Sequence, residues 1–390
     1  MGAVMTKRAV ILVPGFGKQE QLEARDRLVD AMTHYSDGYN TSTEEGAESG
    51  GLQSTVVRAT ARQGTQEALE IHVFEAYWGD LIPDWGQESP WARVKRGLAL
   101  IRYWAWGGMV RAMARQELPR RTIVVMMIAA VLLLFWYFLA LTVLAQALAG
   151  SDAGGSPEWV KSLVGFLGLT EEQIASWGAL GSAPIVAFVV GFLGLGFIER
   201  IANVAAFTKA YLRDDIIGDG TIGLRAKARH RVLPVLDHVY DSDHGFDEVY
   251  VVAHSLGGAI AIDALAEYGD NLTRTTLFTW GSSIGVLVQQ EPLIEQEIAK
   301  FYSADPRIRN WVDVVLPGDY MASTVPLPVL PDGTTVSRLF PETVVPALPK
   351  GLGLSGAARH DFYYRSEDAI LMLLKPAEDL PQPVSVSDAG

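Results

Sequence analysis

Strands and helices alternate along most of this chain, which predicts a mixed α/β fold whose mostly parallel sheet is covered by helices on both faces. Three observations lead there. Ala9–Val13 and Glu248–Ala253 are short runs rich in valine and other apolar residues, as expected of strands buried on both sides. Each runs into a turn that bears glycine and then into a stretch of helical character. One long uncharged segment breaks this alternation, so the fold is expected to carry a helical transmembrane hairpin as an insertion.

Composition narrows the function. The 390 residues allow one large domain with insertions or two ordinary ones. Hydrophobic residues make up 49% and the mean hydropathy is +0.17, which points to membrane-buried segments. A formal net charge of -13 argues against a nucleic-acid partner. Without cysteine, the chain has no disulfide framework, thiolate metal site or cysteine nucleophile, and nothing in it predicts a metal or other cofactor.

The first element, Val10 to Val13, reads as a buried strand, too short for a signal-peptide core and stopped by Pro14-Gly15. Gly2 and Thr6 fit the myristoylation spacing, a pattern short enough to recur by chance. The glycine-bearing turn 14–17 lacks the spacing of a phosphate loop. A helix is expected from about Lys18 to Tyr35, then a polar, acidic and glycine-rich surface insertion at 37–54. Thr55 to Ala61 and Leu69 to Ala76 read as strands; in the second, Ile71 and Val73 alternate with polar His72 and Glu75. Residues 1–84 thus form the N-terminal part of the α/β domain.

Residues 85–121 have another character. Trp85, Trp91, Trp104 and Trp106 are interleaved with cations, and 93–121 hold eight Lys/Arg against one acid. Such a basic, tryptophan-rich helix suits the membrane headgroup layer; packing on the domain is the competing reading. Thr122 to Leu148 follows, 27 residues without a charge, which at about 1.5 Å per residue exceeds a hydrocarbon core of roughly 30 Å. Ala179 to Ile198 is also uncharged but is interrupted by Pro184, Gly191, Gly194 and Gly196. It is expected as the second span of a hairpin over 122–200, with a re-entrant segment as the alternative. The loop 150–182 is acidic, whereas both flanks are rich in Lys/Arg. The positive-inside rule therefore places the flanks, and the catalytic domain with them, on the cytoplasmic side.

The second part of the domain is expected over 201–375, with a proline- and acid-rich disordered tail at 376–390. Its elements are a helix from Ile222 to Asp241, a buried strand from Glu248 to Ala253, and a helix from Leu256. Strands at Leu277–Trp280 and Trp311–Leu316, a helix near Glu291–Phe301 and a last helix at Ala369–Leu374 follow.

The strand Val249–Val252 runs straight into Ala253-His254-Ser255-Leu256-Gly257-Gly258. Small residues around a serine permit the sharp strand-to-helix turn that exposes a nucleophilic hydroxyl, which makes Ser255 the candidate nucleophile. Alanine at 253 departs from the G-x-S-x-G pattern, yet it is the smallest side chain after glycine.

With V-P-G-F-G (13–17), A-H-S-L-G-G (253–258), W-G-S (280–282) and R-H-D-F-Y (359–363), the chain resembles lipase-like members of the α/β-hydrolase superfamily. The resemblance implies an α/β-hydrolase fold and a triad in the chain order serine, acid, histidine. Of seven histidines only His360 follows Ser255, so it is the expected general base. His254 adjoins the nucleophile, but its side chain should point elsewhere on so tight a turn. Asp319, just beyond the end of a strand, is preferred as the acid to Asp313 within it; Asp305 and Asp332 are distant alternatives. Backbone N–H groups of Leu256 and Phe16 are the expected oxyanion donors.

These readings converge on a membrane-anchored serine esterase or lipase, with the lipid membrane as partner and an acyl ester as substrate. Thioesters and amides use the same machinery. A catalytically silent hydrolase fold serving as a membrane interaction module is the rival from another class. Met321 to Leu354, with six prolines, is a candidate lid.

Overall fold

A computed structural model describes residues 5–46, 48, 50–62, 68–85, 95–97, 99–100, 102–103, 195–217, 220–269, 272–302, 307–319, 321–328, 336, 338–340, 343–347 and 359–385. The chain divides into two compact units: Met1–Pro83 with Gly108–Ile123 and Ala210–Gly390, and Asp84–Gly107 with Val124–Lys209.

The first unit is built on a sheet whose strands are β1 (Met5–Val13), β2 (Tyr39–Glu45), β3 (Thr55–Ala61), β4 (Ala68–Glu75), β5 (Glu248–His254), β6 (Leu272–Trp280) and β7 (Ile308–Val314). Their order is β2-β3-β4-β1-β5-β6-β7. From β4 to β7 neighbours run parallel, and β2 and β3 add an antiparallel edge. This is the mixed α/β architecture that the alternation predicts.

Burial explains the sequence of the central strands. Every residue of β5 is buried, because helices cover both sides. On one face Val10, Leu12, Tyr250, Val252, Phe278 and Trp280 form a core with helices α1 (Glu23–His34) and α7 (Glu367–Leu374). The other face is covered by α3 (Leu224–Tyr240) and α4 (Gly257–Tyr268), which pack on each other and on the sheet. Helices α5 (Ile284–Gln290) and α6 (Pro292–Ala299) follow β6.

Two stretches expected to be irregular are structured. Within 37–54, Tyr39–Glu45 pairs as an edge strand with β3. Its threonines suit a strand, and its exposed acids suit an edge that must not recruit another chain. Residues 376–385, expected as part of a disordered tail, pack on the domain. Ala377 and Leu380 are buried, the Ala377 N–H donates to Glu248 (3.0 Å), and β9 (Val384–Ser385) pairs with β8 (Arg338–Leu339). The expected alternation in β4 also fails at its end, where Glu75 is buried.

In the second unit, Trp85 is buried, and Arg96 lies over its ring at 5.0 Å while donating to Asn203 Oδ1 (2.6 Å). At Trp85 the basic segment meets protein within this unit; Trp91, Trp104 and Trp106 lie outside the described residues. So does the expected first span, 122–148. Of the second, only 195–198 are described, opening helix α2 (Leu195–Leu212), which continues through Glu199, Arg200 and Lys209. Among the described residues no helix is long and apolar enough to cross a membrane.

Candidate active site

The end of β5 creates the site. Ser255 follows the strand directly and has φ 55°, the left-handed region that costs a residue other than glycine about 1–3 kcal/mol unless its surroundings enforce it. Two bonds enforce it. The Ser255 N–H donates to the Trp280 carbonyl at the end of β6 (2.9 Å), and its own carbonyl accepts from the Gly258 N–H as α4 begins (3.0 Å). Glycine at 257 permits the close approach of α4, since an added methyl would meet the Val13 and Pro14 carbonyl oxygens. Backbone atoms on both sides thus force the serine out of the strand path.

His360 lies beside it, at the entrance to a short 3-10 turn, Phe362–Arg365. Its Nε2 is 2.8 Å from Ser255 Oγ, and its Nδ1 is 2.9 Å from Asp319 Oδ2. An ionised carboxylate only accepts, so Nδ1 carries the proton and Nε2 offers its lone pair to the serine hydroxyl. Asp319 follows β7 through a turn at Gly318, φ 77°, and its carboxylate also accepts from the Met321 N–H (3.0 Å) and the Tyr363 hydroxyl (2.8 Å). All three residues of this relay are buried.

The other acid candidates are elsewhere. Asp313 accepts from Thr279 Oγ1 (2.7 Å), Thr343 Oγ1 (3.2 Å) and the Val325 N–H (3.3 Å). It tethers β6 and two loop segments, and burial raises its pKa to about 6 against those donors. Asp305 and Asp332 lie outside the described residues.

The turn after β1 adjoins Ser255. A Cβ placed on Gly15 would lie 3.1 Å from Ser255 Cβ and 2.7 Å from His254 Nδ1, so no larger side chain fits there. Phe16 is the next residue, and Leu256 directly follows Ser255. This turn is braced from the segment after β4: Trp78, fully buried, donates Nε1–H to the Pro14 carbonyl (2.9 Å), and Tyr77 donates to the Gln19 carbonyl (3.0 Å). The loop after Asp319 is joined to the turn after β6. Ser283 Oγ donates to the Met321 carbonyl (2.6 Å), and the Ser323 N–H donates to the Ser282 carbonyl (2.7 Å). These contacts involve the start of the candidate lid, 321–325; much of its remainder lies outside the described residues.

Comparison with known proteins adds nothing to this geometry: no family model, curated protein or solved structure matches the chain.

Sequence reasoning gave no role to three residues that shape the site. His254, the residue before Ser255, donates Nε2–H to the His360 carbonyl (2.8 Å). Burial lowers its pKa to about 4, so it is neutral. Tyr363 entered only as the last residue of R-H-D-F-Y (359–363), and Trp78 did not enter at all. A tyrosine three residues after a candidate base, across one turn of tight helix, was the available signal.

Proposed function

We propose that this chain is a membrane-anchored serine hydrolase of the α/β-hydrolase type, cleaving carboxylic esters of acyl lipids through an acyl-enzyme on Ser255. The observation that carries the reading is the hydrogen-bonded relay Ser255–His360–Asp319 on a serine with positive φ. The buried, mostly parallel sheet and the motifs at 13–17, 253–258, 280–282 and 359–363 agree with it.

In this mechanism His360 Nε2 takes the hydroxyl proton as Ser255 Oγ attacks the ester carbonyl. The imidazolium is held by Asp319, and the oxyanion by the N–H groups of Leu256 and Phe16. Collapse of the tetrahedral intermediate breaks the bond to the alcohol, which leaves with the proton from His360. Water then enters by the same steps in reverse, releasing the acid and restoring the serine.

The uncharged 122–148 and 179–198 are proposed as a transmembrane hairpin, with the hydrolase on the cytoplasmic side by the charge of the flanks. A nearby bilayer makes acyl lipids the substrate class. Hydrolysis of p-nitrophenyl esters of graded chain length by membranes containing the full chain tests the activity. Turnover that rises with acyl length and vanishes in Ser255→Ala is expected; turnover that survives Ser255→Ala contradicts it. Carbonate extraction tests the anchor, which predicts that the chain stays with the membrane pellet.

A further inference from the structure

His360 and Tyr363 belong to one short turn and reach the same carboxylate. His360 Nδ1 lies 2.9 Å from Asp319 Oδ2, and the Tyr363 hydroxyl lies 2.8 Å from that same oxygen. The direction of the second bond is set by a third. The Leu316 N–H, two residues beyond the strand that leads to Asp319, donates to the Tyr363 oxygen (3.1 Å). With that oxygen accepting from a backbone amide, its proton is directed at the acid. Burial pushes the phenol well above the usual tyrosine range, so the hydroxyl stays protonated.

The slot for this ring is built. Tyr363 is fully buried and stacks on Trp280, with centroids 6.4 Å apart and planes 17° from parallel. Gly281 has φ 58°, and a Cβ there would lie 2.6 Å from Tyr363 Cε2. A side chain at 281 would therefore displace the tyrosine. The ring is thus fixed by the turn that also supplies the Trp280 carbonyl to the Ser255 N–H.

We propose that Tyr363 is a positioning residue for ester hydrolysis: its hydroxyl fixes the Asp319 carboxylate so that Oδ2 stays aligned with His360 Nδ1. Asp319 has no cation among the described hydrogen-bond partners, only the Met321 N–H, the His360 ring and this phenol. Without the phenol the carboxylate can rotate about its Cβ–Cγ bond, and the imidazole loses the orientation that presents Nε2 to the serine. The inference rests on the hydrolase reading of the same site.

Tyr363→Phe tests it, since the ring and its stacking remain and only the hydroxyl goes. The activity readout is kcat and KM on a short-chain p-nitrophenyl ester. The second readout is the downfield proton resonance of the His360 Nδ1–H in the full-length protein. The expected result is a kcat about tenfold lower with KM within about twofold, as for loss of one charge-assisted bond, together with a displaced resonance. An unchanged kcat with an unmoved resonance overturns the proposal. Should Tyr363→Phe fail to fold, 3-fluorotyrosine at position 363 keeps the shape and makes a stronger donor. The resonance should then be displaced from its position in the unfluorinated protein; an unmoved resonance overturns the proposal. If wild-type protein hydrolyses no ester, the hydrolase reading fails, while the resonance still reports whether Tyr363 bears on the Asp319–His360 pair.

Discussion

His254 and His360 sit with ring centroids 4.9 Å apart, and the first donates Nε2–H to the backbone carbonyl of the second. The residue before the candidate nucleophile thus holds the candidate base by its main chain. Burial first, and then the neighbouring His360, lower the His254 pKa from 6.5 to about 4. An unfolded chain therefore takes up this proton at higher pH than the folded one. The contribution to stability is present above pH 6.5 and is lost as pH falls toward 4. Urea midpoints of wild type and His254→Phe should differ in a pH-dependent way, with the wild-type advantage shrinking as pH falls from 6.5 to 4. An advantage that is constant across this range would show that His254 is not buried as a neutral ring.

Glu75 is predicted to act in the opposite sense. It ends β4 buried beneath α1, accepts from the Leu22 N–H, and has Oε1 without a hydrogen-bond partner among the described residues. Burial raises its pKa from 4.5 to about 7, so the folded state binds this proton more tightly. Its contribution is fully present below pH 4.5 and is lost as pH rises through 7. Relative to Glu75→Gln, the wild type should lose thermal stability steadily between pH 4.5 and 7.5. Parallel melting curves over that interval would rule this out.

The two aspartates after β6 make separable predictions. Asp319→Asn keeps the shape but presents an amide to His360 Nδ1, disfavouring the required tautomer; kcat should fall by about 10³–10⁴-fold, with folding retained. Asp313→Asn removes an acceptor for Thr279, Thr343 and Val325. It should lower stability by about 1–3 kcal/mol and leave most of the activity. Turnover and denaturation of both variants decide the matter, and a large loss of kcat at Asp313 alone would reassign the acid.

The serine turn and the central strands were legible because each rests on a local rule. β5 is apolar throughout because it is buried on both sides, and the small residues around Ser255 are needed where backbone approaches backbone. His360 emerged from chain order together with the family resemblance, and Asp319 from its place beyond a strand end. Other features depend on partners distant in sequence. Tyr39–Glu45 looks like a polar loop until β3 lies beside it, and 376–385 looks like a loose tail until Glu248 accepts from Ala377. Glu75 reads as the exposed member of an alternating strand because nothing local reveals that α1 covers it. Tyr363 and Trp78 act through single atoms, a hydroxyl on Asp319 and an indole N–H on Pro14, and no periodicity encodes such a contact.

Covalent labelling with a fluorophosphonate probe tests the nucleophile most directly. Full-length folded protein should gain one adduct by intact mass, mapped by peptide analysis to Ser255. His360→Ala should label far more slowly, and Ser255→Ala not at all. Folded wild-type protein that takes no label, or takes it at another serine with Ser255→Ala labelling equally, would contradict the account.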